Sequence, residues 1–154
     1  MVSPFPPPGV VGCPSDQWVL LASGSGIAVT LDCFVCYADG FEFRMAIRSR
    51  GTPPASSVNQ YVIPELTALR CLVVTARGSA DGANTYDYQP WPVELRGFHA
   101  TELEANVQLC CRLPAPGDSL EMQVGPQVLG VIGQPHALDI EELRDRGARS
   151  FPVD

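Results

Sequence analysis

Cys33-Phe34-Val35-Cys36 has the two-residue spacing that lets thiolates share a zinc ion or cycle through a redox disulfide. The pair lies inside a strongly alternating segment, however. Residues three apart on a strand point to opposite faces, so these thiolates do not converge on one metal. No second pair at similar spacing completes four ligands. The other cysteines are Cys13, Cys71, Cys110 and Cys111. Cys110 and Cys111 straddle a strand, with Cys111 expected inward and Cys110 outward. A chain of 154 residues, 45% apolar, builds a core that does not need a disulfide framework. The thiols are read as inert, with no metal and no cofactor assigned.

Imidazole chemistry is confined to His99, at an expected strand end, and His136, which follows Pro135 in an expected loop. No nucleophile elbow of the GxSxG type accompanies them, and Ser23-Gly24-Ser25-Gly26 lacks the required strand-to-helix turn. A Cys–His pair assembled in space is the enzymatic alternative. All ten basic residues are arginine, which excludes lysine Schiff bases and the P-loop lysine. The net charge of −7 and the lack of a basic cluster argue against nucleic acid as a partner. Arg44, Arg48 and Arg50 share a strand face interrupted by Glu42, which reads as a solvated face before an anion site. No catalytic residue is assigned.

Binding chemistry is densest between Gly78 and Pro92. Asp81, Asn84 and Asp87 supply oxygen atoms without the alternating spacing that wraps calcium. Tyr86, Tyr88 and Trp91 add aromatic surface, a combination that suits a ligand or carbohydrate site at a loop end. The competing reading, which is favoured, has Trp91 begin a strand and pack inward while the tyrosines shield the core edge.

These residues are positioned by strands. Ile27, Val29, Leu31, Cys33, Val35 and Tyr37 alternate with more polar neighbours, as do Phe41, Phe43, Met45 and Ile47 after Ala38-Asp39-Gly40. Paired residues share a face, so a three-residue turn is expected. It would set Tyr37 opposite Phe41, Val35 opposite Phe43, Cys33 opposite Met45 and Leu31 opposite Ile47, with Gly40 in the left-handed region. Gln17–Ala22 is expected as a strand with Trp18, Leu20 and Ala22 inward. Val58–Val62 is a further short strand, after a loop over Gly51–Ser57. Leu69–Arg77 is expected to face inward at Leu69, Cys71, Val73 and Thr75. Glu102–Leu113 and Ser119–Val124 alternate cleanly, inward at Leu103, Ala105, Val107, Leu109, Cys111, Leu113, Leu120, Met122 and Val124. About seven strands with turn-rich loops indicate an all-β antiparallel β-sandwich, with a barrel as the alternative. Asp139 caps a short helix with Glu141 and Glu142 in its first turn, Arg144 and Arg146 in its last, and Gly147 as its stop.

The segment from Gly26 to Gly51, with its tyrosine-containing turn, Gly40-Phe41-Glu42-Phe43 and a following strand bearing Arg48 and Arg50, resembles the opening hairpin of a family of small uncharacterised actinobacterial β-rich proteins. Val29, Leu31 and Tyr37 complete the match, over about a sixth of the chain. The resemblance implies a β-rich remainder, a glycine-rich middle loop and a helical tail. It implies no activity and no site residue, and this chain departs from it in its extra cysteines and weakly apolar helix.

The organisation read from the sequence is an extended Pro-rich arm over 1–16, a β-sandwich over 17–138, and a short helix and tail over 139–154. The expected function is a non-catalytic interaction module binding a protein partner. The alternatives are a ligand- or carbohydrate-binding domain and an enzyme with a Cys/His site. No run of 18 apolar residues predicts a membrane span, and no secretory leader pattern opens the chain, so cytoplasmic residence is expected.

Overall fold

A computed structural model describes residues 5–24, 26–50, 72–78, 88–100, 104–125 and 133–153. The expectations for Gly51–Ser57, Val58–Val62, Leu69, Cys71 and Leu103 lie outside those residues. Alternating segments of the kind read above must bury one face, and two antiparallel sheets do so against each other. The larger sheet runs β2 (Cys13–Ser15), β4 (Ile27–Tyr37), β5 (Gly40–Ser49), β9 (Glu104–Arg112), β8 (Val93–Ala100), with β3 (Val19–Gly24) also on β4. The smaller runs β11 (His136–Ala137), β10 (Ser119–Val124), β6 (Leu72–Arg77), β7 (Tyr88–Pro90). A two-stranded ribbon joins β1 (Val10–Val11) to β12 (Phe151–Pro152). Inward residues of both large sheets form one core, so the fold is a β-sandwich.

The β4–β5 hairpin differs from expectation in an informative way. It closes through a two-residue turn, Ala38-Asp39, with Tyr37 opposite Gly40 and Cys36 opposite Phe41. Gly40 is not in the left-handed region. Were this register continued, Val29 would fall opposite Arg48 and a charge would share the core face. A bulge between Asp32 and Val35 prevents that. Beyond it Leu31 lies opposite Met45 and Val29 opposite Ile47, all four fully or nearly fully buried.

The extra residue also re-aims the middle of β4. Cys33, at φ 55°, is exposed and Val35 is half-buried, while Phe34 and Cys36 point inward. This reverses the inward expectation for Cys33 and Val35. Tyr37 is buried, with Phe5 edge-on to its ring at 5.8 Å. A left-handed non-glycine residue costs on the order of 1 kcal/mol or more. Flanking contacts offset it. Asp32 accepts two hydrogen bonds from Arg44, at 2.8 and 2.6 Å, and Phe34 stacks on Phe43 at 5.6 Å. Each such contact contributes roughly 0.5–1.5 kcal/mol.

Two other strands invert the expected faces. In β6, Leu72, Val74 and Ala76 are buried while Val73 is 44% exposed and Thr75 half-buried. Its sequence is apolar on both faces, so its partner decides. Ala76, Val74 and Leu72 lie opposite Leu120, Met122 and Val124 of β10, whose other face is Ser119, Glu121 and Gln123. In β3, Val19 lies opposite Leu31, which turns Trp18 and Leu20 outward; a bulge then brings Ala22 inward opposite Val29.

The tail helix, α1 (Ile140–Gly147), begins as its sequence requires. The Asp139 side chain accepts from the Glu142 N–H at 3.1 Å, and Ile140 and Leu143 are buried. Gly147, however, lies within the helix, and the C-cap is Ala148 in a right-handed conformation. Gly147 is required by proximity: a Cβ there would meet the Tyr37 carbonyl. The Glu142 carboxylate anchors α1 to the sheet edge, accepting from Ser15 Oγ at 2.7 Å, Gln17 Nε2 at 3.0 Å and Arg146 Nε at 3.0 Å.

Two carboxylates thereby tie stability to pH. Arg44 donates to Asp32 and holds its acid below the usual carboxylate range, outweighing partial burial. Burial pushes Glu142 up, but hydrogen bonds from Ser15, Gln17 and Arg146 together carry it below its ordinary value. Groups depressed in the folded state stabilise it above their unfolded pKa, and that contribution fades as pH falls through the folded value. The melting temperature is therefore expected to drop from about pH 5 downward through the acid range. Asp32→Asn should flatten that drop; an unchanged acid profile would contradict the assignment. Circular dichroism melts across pH 2.5–7 measure both.

Candidate functional site

Among the described residues, Phe5 and Trp91 frame a concavity. Gly40 has no side chain where Phe5 docks, and a Cβ at that position would meet the Phe5 ring and approach the Cys111 carbonyl at 2.6 Å. The ring is held between Tyr37 and Arg112, whose guanidinium carbon lies 5.4 Å from its centroid. Arg112 is oriented in turn by Asp39 at 3.2 Å. Opposite Phe5, the Trp91 indole N–H donates to the Arg112 carbonyl at 2.8 Å, and its backbone N–H donates to the Val74 carbonyl at 2.9 Å. Trp91 thus bridges the two sheets. Between Phe5 and Trp91 lies a groove of about 320 Å³, lined also by Pro92, Glu94, Cys110 and Cys111.

The groove is built for contact more than for nucleophilic chemistry. Cys110 sits on β9 directly between Glu42 and Glu94, and its thiol approaches the Glu94 carboxylate at 3.9 Å. Burial, then the Glu94 charge, push its pKa up to about 11. Burial, then the neighbouring Cys110, push Cys111 up to about 12. Both are therefore protonated at neutral pH, whereas a thiol nucleophile acts as the thiolate. Cys110 was expected outward. It does lie off the core face, yet it is buried.

His99 is exposed in β8 opposite Asn106, four residues along β9 from Cys110, or roughly 13 Å by strand rise. His136 is exposed in β11, not in a loop, opposite Met122 on the other sheet. Among the described residues, no three His, Cys, Asp or Glu side chains cluster as metal ligands.

The middle-loop candidates divide. Asp81, Asn84, Tyr86 and Asp87 lie outside the described residues. Tyr88 begins β7, its backbone opposite Arg77. Trp91 is partly buried against the core while also lining the groove. Of the arginine stripe, Arg44 pairs with Asp32 and Arg48 with Glu104 at 3.4 Å, so the face is largely neutralised.

Sequence reasoning missed the outward face of β3. Trp18, just before β3, is 60% exposed and Leu20, on the outward face of β3, is 49% exposed, two residues apart at a sheet edge. Their neighbours Val19 and Leu21 fill the core instead. The signal that would have found them is the register against Leu31, which single-strand periodicity does not contain.

The thiol environments order reactivity. At pH 7.5, iodoacetamide should label exposed Cys33 well before Cys110. Burial, then the Asp32 charge, raise Cys33 as well, so the order rests on its exposure together with the Cys110 pKa near 11, which lowers thiolate content roughly 300-fold relative to an ordinary thiol. Peptide mass spectrometry reads the order, and early labelling of Cys110 in the folded protein would contradict it. Comparison with family models, curated proteins and solved structures finds no match to this chain.

Proposed function

We propose that the chain is a non-catalytic β-sandwich interaction module that binds a protein partner through the outer face of β3. The observation that carries this reading is the adjacent exposure of Trp18 and Leu20. A tryptophan and a leucine released from the core by strand register, at an open strand face, have the character of an interface centre. Burying both against a partner would contribute on the order of 3–5 kcal/mol, enough to anchor a specific complex. Cytoplasmic residence belongs to the same reading.

A second reading, a ligand- or carbohydrate-binding domain, draws on the groove beside Trp91. Its volume is at the lower end for small-molecule sites, and its apolar walls carry one acid and one base, Glu94 and Arg112. The first reading is preferred because the groove's one base, Arg112, is already engaged by the Asp39 carboxylate and the Phe5 ring.

Affinity purification from the native host, with quantitative mass spectrometry, separates the two. The double variant Trp18→Glu, Leu20→Glu should keep its melting temperature and lose a partner that the wild type recovers stoichiometrically. Equal recovery by both, or none by the wild type across growth conditions, would overturn the proposal.

A further inference from the structure

The thiol chemistry of this fold is not where the sequence motif puts it. Cys33 and Cys36 are split by the bulge, one exposed and one fully buried. Cys110 and Cys111 are chain neighbours on opposite faces. The pairing that matters joins β2 to β4: Cys13 lies directly opposite Cys36 in an antiparallel register that also sets Pro14 against Val35 and Ser15 against Phe34. Direct antiparallel partners have Cα atoms about 4.5–5.5 Å apart and share a face. Disulfides span Cα separations of about 4.4–6.8 Å.

The face they share lies beneath α1. Ser15, two residues along β2 from Cys13 and on the same side, bonds to Glu142. Arg146, held by Glu142 at 3.0 Å, also reaches the Cys13 thiol. Cys36 feels the charges of Glu142, Cys13 and Arg146. The helix and the paired strands therefore hold both sulfurs in one small, ordered space.

We propose that Cys13 and Cys36 form a modification site: a cross-strand dithiol that closes to a disulfide under α1 when the protein meets a small-molecule disulfide such as oxidised glutathione. Cys13, at the sheet edge and only partly buried, reacts first, losing its proton to solvent. Its thiolate displaces one thiolate from the reagent, forming a mixed disulfide. The Cys36 thiol then gives its proton to the departed thiolate and attacks the Cys13 sulfur, expelling the second reagent thiolate, which takes up from solvent the proton that Cys13 released. The protein loses two protons and two electrons, and one small disulfide takes up both to become two small thiols.

Burial, then Glu142 and Cys13, push the Cys36 pKa up to about 12, so the second step speeds up with pH. The fixed register compensates at neutral pH, since well-oriented intramolecular reactions reach effective concentrations of about 10⁵ M or more. The closed bond ties the segment that carries Phe5 and β1 to β4 of the large sheet. The inference is independent of any partner at Trp18.

The experiment incubates the reduced full-length chain with oxidised glutathione, blocks free thiols with N-ethylmaleimide, and cleaves before aspartate. That cleavage releases residues 1–15 and 32–38 as separate peptides, the first carrying Cys13 and the second Cys33 and Cys36. The expected product is these two peptides linked through Cys36. The link should persist in Cys33→Ser and vanish in Cys13→Ser. The oxidised wild type should melt about 5–10 °C higher than the reduced form, an increase absent from Cys13→Ser. A link from Cys13 to Cys33 or to any other cysteine, a mixed disulfide that never closes, or full N-ethylmaleimide labelling of both thiols would overturn the proposal.

Discussion

A strand hairpin with a two-residue turn pairs odd with even positions here, whereas away from the turn both arms carry core residues at odd positions, Ile27, Val29 and Leu31 against Met45 and Ile47. The conflict is resolved by a single inserted residue at Cys33–Phe34. On one side of the bulge Cys36 lies opposite Phe41; on the other Leu31 lies opposite Met45. Everything downstream inherits that parity, because β5 sets β9 in the same row order and β4 sets β3 and β2. Without the bulge, charged side chains of β5 would share the core face with Val29, at a cost of several kcal/mol for each unpaired charge. A left-handed backbone at one exposed cysteine is the smaller penalty.

The features that suggest function are consequences of the same parity. Leu31 takes the core position opposite Val19, and Trp18 and Leu20 are left in solvent. Phe34 and Cys36 turn inward, which places Cys36 under α1 and opposite Cys13. At the turn end, Tyr37, Gly40 and Arg112 form a row whose missing central side chain admits Phe5. Two glycines read from the sequence as conformational devices serve instead as clearances. Gly40 makes room for an aromatic ring, and Gly147 lets the helix touch the Tyr37 backbone.

Much of the fold was legible because it depends on local pattern. The alternation of β9 and β10, the antiparallel sandwich, and the Asp139-capped helix with its acidic first turn all follow from spacing and residue type. What was not legible depends on partners. β6 and the start of β3 are apolar on both faces, so periodicity alone could not choose between Val73 and Val74, or between Leu20 and Leu21. The bulge was invisible for a related reason: Cys33 and Phe34 both suit an inward position, and only the turn length decides between them. The candidate site was harder still. The Cys33–Cys36 spacing drew attention to one thiol pair, while register supplied another from a segment read as an extended arm. Four of the residues first considered for binding, Asp81, Asn84, Tyr86 and Asp87, lie outside the described residues.

Cross-strand proton contacts in solution test the central claim most directly. In a nuclear Overhauser spectrum of the folded chain, the resetting bulge predicts contacts across β4 and β5 that join Cys36 to Phe41, Leu31 to Met45 and Val29 to Ile47. Contacts joining Tyr37 to Phe41 and Leu31 to Ile47 would instead mean an unbroken three-residue-turn hairpin. That pattern would remove the bulge and, with it, the physical account of why Trp18 is exposed and Cys36 faces Cys13.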